Sequence, residues 1–409
     1  MPLPRDFRLF WGSDAANQFG TAVYTFVLPV VAIEALDASA FQVGLLTAAG
    51  TAAFLVIGLP VGVYVDRTRK RPVLAWSTVG RALLLVTVPV AGWLGGVTYA
   101  HLLLVASGAG VLTVFFEVAS QAYLPTLVDR EGLTGANGRL VSTQQVARLS
   151  GRPVSGPLVQ VLGGVNAVLA IAVSFLTSAL LLWGIRTPER AVESRGRAVR
   201  VDMAEGLRFV FGHPLLRPVV LCTTCFNLTN AMWGAVNVLF LLRDLALPTT
   251  AAAVLLGVGS AGGAVAGLVA GRLARLGQVR LVWLSLLVTQ PAWVLVPLSE
   301  PGWGVALFAV GTLVTSAGVV VYNVAQVSLR QALCPDRLLG RMNASIRFLT
   351  WGAMPVGAVV AGALAEWVGV RGTLWVASAG MVLSVLWVVL SPLRSMRDVP
   401  VITSLDRHG

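Results

Sequence analysis

Long apolar runs alternate with short polar segments along the whole chain. A helix needs about 20 apolar residues to cross the hydrocarbon core of a bilayer. Twelve runs of that kind are present, and many contain glycine and proline, which membrane helices tolerate because neighbouring helices satisfy the freed backbone groups. The pattern predicts an all-α membrane protein with twelve transmembrane helices. The predicted spans are 13–36, 41–65, 73–96, 99–124, 140–163, 165–186, 215–243, 249–271, 279–298, 302–329, 343–368 and 370–393.

The composition excludes a soluble protein. Of the 409 residues, 56% are hydrophobic and only 12% are charged, whereas a soluble domain has about 25% charged residues. The N-terminal segment runs from charged residues into a long apolar helix without a small-residue cleavage site. We therefore expect the first helix to remain in the membrane.

The arginine distribution predicts the orientation. The net charge of +12 arises from arginines in short connecting loops, which is a topological signal and not a sign of nucleic-acid binding. With both termini in the cytoplasm, only Arg243 and Arg371 fall clearly outside. The charges then on the cytoplasmic side are Arg5, Arg8, Arg67, Arg69, Lys70, Arg71, Arg130, Arg139, Arg272, Arg275, Arg280, Arg330, Arg337 and Arg341.

A polar segment divides the chain near its middle. Residues 187–213 are predicted to form a cytoplasmic linker, whose second part has amphipathic spacing with Met203, Leu207 and Val210 on one side. This part is typical of a short helix at the membrane surface. The expected organisation is two six-helix bundles, the linker and a tail, at residues 1–186, 187–213, 214–393 and 394–409.

The two predicted bundles are related in sequence. At an offset of 206 residues, Asn137 falls on Asn343, and Gly151 and Gly156 fall on Gly357 and Gly362. The segment from Val118 likewise aligns with the segment from Val324. Parallel repeats with a substrate site between them are characteristic of one large class of transporters.

The loop between predicted spans 2 and 3, GVYVDRTRKRP, resembles the loop motif of the major facilitator superfamily. The segments QAYLPTLVDREGLTGANGRL and QALCPDRLLGRMNAS are similar to an exporter branch that includes enterobactin and macrolide efflux proteins. The resemblance implies two six-helix bundles and alternating access. The gating residues that it implies are Gly62, Asp66, Arg67 and Arg71, with Gly267 and Arg272 in the second bundle.

The resemblance suggests that Asp66 closes the cytoplasmic side in one state. Its carboxylate could bond the helix N-terminus near Asn343, where the helix dipole favours negative charge, or Arg347. The alternative is a solvated turn.

The fifth predicted span departs from the family pattern at Arg152. Arg152 replaces the proline of the superfamily's antiporter motif, and Pro153, which follows, is expected to weaken the local helix. Gly151 and Gly156 are expected to allow close approach to the glycine-rich residues 261–271. Arg152 either pairs with an acidic side chain or backbone carbonyls, or faces the cavity and meets anionic groups of a substrate.

A few ionisable residues lie inside the predicted spans, where each costs about 2.5–3.5 kcal/mol unless it has a partner or a water-filled cavity. They include Arg81. Glu117 either titrates with transport or binds a cationic group, or it forms a structural ion pair with Arg69, Arg71 or Arg148.

Spans 1, 4, 7 and 10 line the central cavity in the superfamily, and polar residues in them are therefore cavity candidates. The alternative for each is a hydrogen bond between helices. The candidates comprise polar residues of these spans and two arginines of span 5. They are Asp14, Asn17, Gln18, Glu117, Arg148, Arg152, Asn227, Asn230, Trp233, Tyr322, Asn323 and Gln326.

These features predict a secondary transporter of the bacterial plasma membrane. The resemblance implies export of a small amphipathic organic molecule, such as a drug or siderophore-like metabolite, in exchange for protons. We expect a monomer in the lipid bilayer with no cofactor, metal, nucleic acid or enzymatic activity. An uncoupled facilitator or importer is the alternative. A membrane-embedded enzyme is disfavoured because the three His and three Cys are scattered.

Overall fold

The computed structural model is all-helical over the residues that it describes, which are 4–129, 132–189, 199–273, 275, 277–334 and 336–398. The all-α prediction is thus confirmed. The first six helices correspond to predicted spans 1–6. They are α1 Arg5–Leu36, α2 Ala40–Arg67, α3 Lys70–Trp93, α4 Tyr99–Leu127, α5 Leu133–Leu162 and α6 Gly164–Trp183.

The second part of the chain continues the pattern after a linker helix, α7. Spans 7–10 correspond to α8–α11, span 11 falls within α12, and span 12 runs from α12 through α13. The helices are α7 Val199–Gly212, α8 Leu216–Leu239, α9 Thr249–Leu273, α10 Gln278–Thr289, α11 Val305–Leu333, α12 Asp336–Ser384 and α13 Leu386–Val389. A π-turn, Phe240–Asp244, extends α8, and a 3₁₀ turn, Gln290–Leu295, extends α10.

Local sequence signals explain several helix ends. Ser39 forms a capping box with Gln42 at the start of α2, which satisfies amide donors that would otherwise lack a partner. Inside the 49-residue α12, Gly369 has φ 77° and interrupts the regular backbone. This left-handed conformation is accessible to glycine, and it falls between predicted spans 343–368 and 370–393.

Nine helices in the described part of the chain are long and apolar enough to cross a membrane, judged by length and composition. The remaining predicted spans are not counted separately, each for a physical reason. The 30-residue α5 carries many polar residues, α10 has only 12 residues before the 3₁₀ turn, and α12 is long enough for two crossings. The count of twelve therefore stays a prediction.

Corresponding helices make corresponding contacts in the two parts of the chain. In the first part, α1 packs on α5 and α6, and α2 on α4. In the second part, α8 packs on α12, and α9 on α11. The two parts meet where α2 packs on α12 and α5 on α9. The domain boundaries predicted from the sequence stay a prediction, and this arrangement is consistent with them.

The linker contains the predicted short helix, α7, which packs against α12. Val210 is fully buried and Leu207 is partly buried, whereas the Met203 side chain lies outside the described residues. Glu205 forms an ion pair with Arg341. The amphipathic pattern therefore includes a face that packs on protein.

Candidate functional site

Two adjoining cavities lie between the two parts of the chain. The first has a volume of about 350 Å³ and the second about 510 Å³, both within the usual range for small-molecule sites of about 300–1,000 Å³. They have several wall residues in common. These are Arg152, Asn230, Trp233, Leu256 and Met354.

The first cavity is bounded mainly by α1, α2, α4 and α8 and is largely apolar. Its threonine hydroxyls are already used within their own helices. Thr21 donates to the Asn17 carbonyl at 2.8 Å, and Thr47 donates to the Val43 carbonyl at 3.0 Å. Because these hydroxyl protons have partners, the donors that this wall offers to a ligand come from residues other than the threonines.

The second cavity is bounded by α8, α9, the end of α10, α11 and α12, with Arg152 from α5, and it is more polar. Gln290 is fully buried in its wall, and both its amide oxygen and nitrogen lack a hydrogen-bond partner within the described structure. The indole nitrogens of Trp233 and Trp293 also lack a hydrogen-bond partner within the described structure. Unpaired buried polar atoms are costly and rare, so this cavity is equipped to bind polar groups.

Two further arginines lie in the wall of the second cavity. Arg330 reaches it from α11, and its Nε has no partner in the described structure. Arg347 reaches it from α12, donates to the Gln121 side chain and lies 4.3 Å from the ring centroid of Trp351. The cavity therefore has a cationic wall.

A buried arginine network lies beside the first cavity. Arg81 of α3 is 1% exposed and donates to the Asn17 side chain. Its guanidinium lies 4.3 Å from the ring centroid of Phe175 and 5.1 Å from that of Phe116. Glu117 is within electrostatic range of Arg81. Hydrogen bonding, cation–π contacts and a nearby carboxylate together offset part of the cost of burying this charge, while the Arg81 Nε has no hydrogen-bond partner within the described structure.

The structure brings seven of the predicted cavity residues to the two cavities. Arg152, Asn230 and Trp233 contribute to both, while the others line the second cavity. The full set is Arg152, Asn227, Asn230, Trp233, Tyr322, Asn323 and Gln326.

Four other candidates are not in these cavity walls. Asn17 is turned to Arg81 because a buried guanidinium requires an acceptor. Asp14 is 6% exposed and lies near Gln18 and Glu117. These four residues lie together beside the first cavity, and their predicted cavity role stays a prediction. The Arg148 side chain lies outside the described residues.

The gating role of the predicted motif residues stays a prediction. In the described structure, no atom lies within 4 Å of a β-carbon built on Gly62, and Arg67 and Arg272 are exposed, as is Gly267. The Arg71 guanidinium donates to the Leu182 and Trp183 carbonyls, so it is bound at the end of α6. The Asp66 side chain lies outside the described residues.

The opposite end of the bundle, which the arginine bias assigns to the outside, is closed. We call it the predicted outer end. Arg243 pairs with Asp37 at 2.6 Å, and Thr249 donates to Glu34 at 2.6 Å. The Phe41 amide donates to Glu366 at 3.0 Å. Each of these contacts joins the two parts of the chain.

Glycines bring the helices together near this end, but not with the predicted partners. Gly156 packs on α9 at Thr250, and Gly151 packs on α1 at Ala22. Gly262, in the segment expected to meet α5, packs instead on Leu313 of α11. The expectation for residues 261–271 was wrong because α5 meets α9 near its beginning, where Pro153 also lies against Gly257.

Sequence reasoning missed several cavity residues. Arg330 was assigned to a cytoplasmic loop, but α11 extends through it. Gln290 and Trp293 lie in the 3₁₀ turn after α10, and Pro291 was the available signal that regular helix ends there. Their approach to α8 and α11 is a tertiary contact that no local pattern encodes.

A multi-pass helical bundle with cavities between two related parts defines the class as membrane transporters. The family model described as Major Facilitator Superfamily matches residues 10–350, and the chain belongs to this superfamily. The predicted family is thus confirmed.

Individual proteins support this assignment. The chain is 29% identical over 376 residues to the "Multidrug efflux pump Tap" of Mycolicibacterium fortuitum, covering 88% of this chain and 90% of that protein. It is 23% identical to the "Uncharacterized MFS-type transporter YvqJ" of Bacillus subtilis (strain 168), covering 75% of this chain and 74% of the relative.

Solved structures show the same fold at low sequence identity. A bacterial homologue of the iron transporter ferroportin in the inward-facing state has a TM-score of 0.71 at 17% identity, covering 95% of this chain and 99% of that one. The nucleoside transporter NupG has a TM-score of 0.77 at 10% identity, covering 94% of this chain and 99% of that one.

Proposed function

We propose that this protein is a secondary active transporter that exports a small amphipathic organic molecule in exchange for protons. It works by alternating access in the bacterial plasma membrane, with both termini in the cytoplasm and each protomer acting alone. The observation that carries the proposal is a pair of drug-sized cavities closed at the predicted outer end by contacts between the two related parts.

The export direction is supported by sequence similarity. The relative that is 29% identical over most of both chains is described as a multidrug efflux pump. The apolar first cavity beside the polar second cavity suits a molecule with both apolar and polar parts. Such a molecule partitions into membranes, and the proposed cycle requires that the cavities open to the cytoplasmic side to receive it.

Proton coupling is supported by the carboxylates near Arg81. Asp14 is almost fully buried and within electrostatic range of Glu117, which is also within range of Arg81. Protonation of either carboxylate changes the net charge of this buried network. Membrane-embedded carboxylates of this kind are typical of proton pathways.

Inverted membrane vesicles test the proposal, because export from the cell becomes uptake into the vesicle. The probes are a panel of anionic, neutral and cationic fluorescent dyes, with an acidic vesicle interior. One pH unit corresponds to about 1.4 kcal/mol, or about tenfold accumulation for each proton exchanged with a neutral molecule. We expect accumulation of at least one dye, and its loss when an uncoupler collapses the gradient.

Vesicles without the protein measure passive uptake and provide the control. Accumulation that an uncoupler leaves unchanged would contradict proton exchange. Equilibration of a dye without accumulation would instead favour the facilitator. If no dye of any charge moves faster than in control vesicles, the efflux proposal fails for this class of molecule.

A further inference from the structure

The polar second cavity has chemistry that selects for negative charge. We propose that it binds planar organic anions, with the negative group facing the arginines and the ring system against the tryptophans. This assignment of the substrate class rests on the proposed transport function. The cavity's binding preference can nevertheless be measured without transport.

The charged residues described in the wall of the second cavity are all cationic. Arg152, Arg330 and Arg347 contribute to the second cavity, and no described wall residue is Asp or Glu. Glu117 is the carboxylate within electrostatic range of Arg347, but it is not in the described wall. The cavity is thus a poor site for a cation, since like charges in a partly desolvated site repel. The described wall of the first cavity likewise contains arginines, Arg81 and Arg152, and no Asp or Glu.

Unpaired hydrogen-bond donors in the wall are the second reason to expect an anionic ligand. The Trp293 side chain is 5% exposed and Gln290 is fully buried, yet the Trp293 indole N–H and the Gln290 amide nitrogen have no acceptor within the described structure. An anionic oxygen accepts stronger hydrogen bonds than a neutral one. A carboxylate or sulfonate therefore gains more from these donors than a neutral ligand does.

Aromatic rings determine the preferred shape of the ligand. The rings of Trp233 and Trp293 lie with centroids 5.3 Å apart and planes at 66°. Trp351 adds another ring to the wall, under the Arg347 guanidinium. Flat conjugated molecules have the largest contact with such surfaces. At about 510 Å³ the cavity has room for a molecule with several fused rings.

A matched pair of dyes tests the preference. Fluorescein and rhodamine 123 contain the same xanthene rings, but fluorescein is anionic and rhodamine 123 is cationic. Their binding to the detergent-purified full-length protein is measured by fluorescence polarisation. We expect a Kd for fluorescein at least about tenfold lower, as one charge-assisted hydrogen bond can provide.

Two conservative substitutions locate the site. Trp293→Phe retains an aromatic ring but removes the N–H, and Gln290→Leu retains side-chain size but removes the amide. Each should weaken fluorescein binding about tenfold, because each removes one bond to a charged group. Trp303→Phe is the matched control, since Trp303 is 97% exposed. It should leave fluorescein binding unchanged.

Equal or tighter binding of rhodamine 123 would overturn the assignment. So would unchanged fluorescein binding in both Trp293→Phe and Gln290→Leu, provided that both elute as folded protein in size-exclusion chromatography. Vesicles that accumulate rhodamine 123 but not fluorescein would support efflux and contradict an anion site. Selective fluorescein binding without movement of any dye would support the site and contradict efflux.

Discussion

Gly156 of α5 lies so close to Thr250 of α9 that a β-carbon at residue 156 would be 2.6 Å from the Thr250 Cα. The internal repeat contains a second contact of the same kind, in which the roles of the two parts of the chain are exchanged. Gly362 is 206 residues after Gly156, and Gly44 is 206 residues before Thr250. A β-carbon on Gly44 would be 2.8 Å from the Gly362 Cα. The two interfaces between the related parts are therefore equivalent at the level of the backbone.

Enlarging Gly156 should separate α5 from α9. We expect Gly156→Val to cost about 1–3 kcal/mol through overpacking and to open the predicted outer end. In a background without the native cysteines, Tyr24→Cys in the first cavity should then react faster with an external, membrane-impermeant maleimide. Gly58→Ala is the control, because no described atom lies within 4 Å of that position. Equal labelling in both variants would mean that this contact does not control the outer end.

The Arg243–Asp37 pair should contribute only modestly to closure. The Asp37 side chain is 95% exposed and that of Arg243 is 40% exposed, and exposed pairs contribute about 0–1 kcal/mol. Arg243→Glu should therefore change the labelling rate of Tyr24→Cys by less than about fivefold at physiological salt. Arg243→Glu with Asp37→Arg should restore the original rate. A larger effect that the double variant does not reverse would assign Arg243 a different role.

Arg81 should be required for stability. Breaking a buried pair by removing one partner typically costs about 3–5 kcal/mol, so Arg81→Met should lower the thermal unfolding temperature of the detergent-solubilised protein. The cause is that the Glu117 charge then loses one of its nearby cations. Arg81→Met with Glu117→Gln should recover much of the loss. Failure of the double variant to exceed the single variant would show that Arg81 acts through Asn17 and the phenyl rings.

Arg152 should affect transport more than abundance. It is partly buried in the wall of both cavities, so Arg152→Ala should lower dye accumulation in vesicles several-fold while the amount of protein in the membrane stays close to wild type. Arg152→Lys should recover part of the activity if positive charge is what matters. A parallel loss of transport and membrane protein would indicate a structural arginine.

Much of the fold could be predicted because apolar run length and glycine placement are local properties. The break at Gly369 follows from such a pattern, whereas the contact of α5 with α9 was expected from the family resemblance and its glycine partners were predicted wrongly. The contacts that individual side chains make could not be predicted in this way. Asn17 lies on a polar face of α1, but only packing against α3 turns it to Arg81 and away from the cavities. The cavity role of Gln290 similarly depends on the 3₁₀ turn that follows α10.

The equivalent glycine contacts have an evolutionary consequence. At Gly44, Gly156 and Gly362 the interfaces between the two parts are formed largely by backbone atoms, so they tolerate little change at the glycines themselves. The charges and rings of the second cavity are side chains from α5, α8, α11 and α12 and from the 3₁₀ turn after α10. Descendants of one duplicated ancestor can therefore change their cargo by ordinary drift in these helices while they inherit the same moving surfaces.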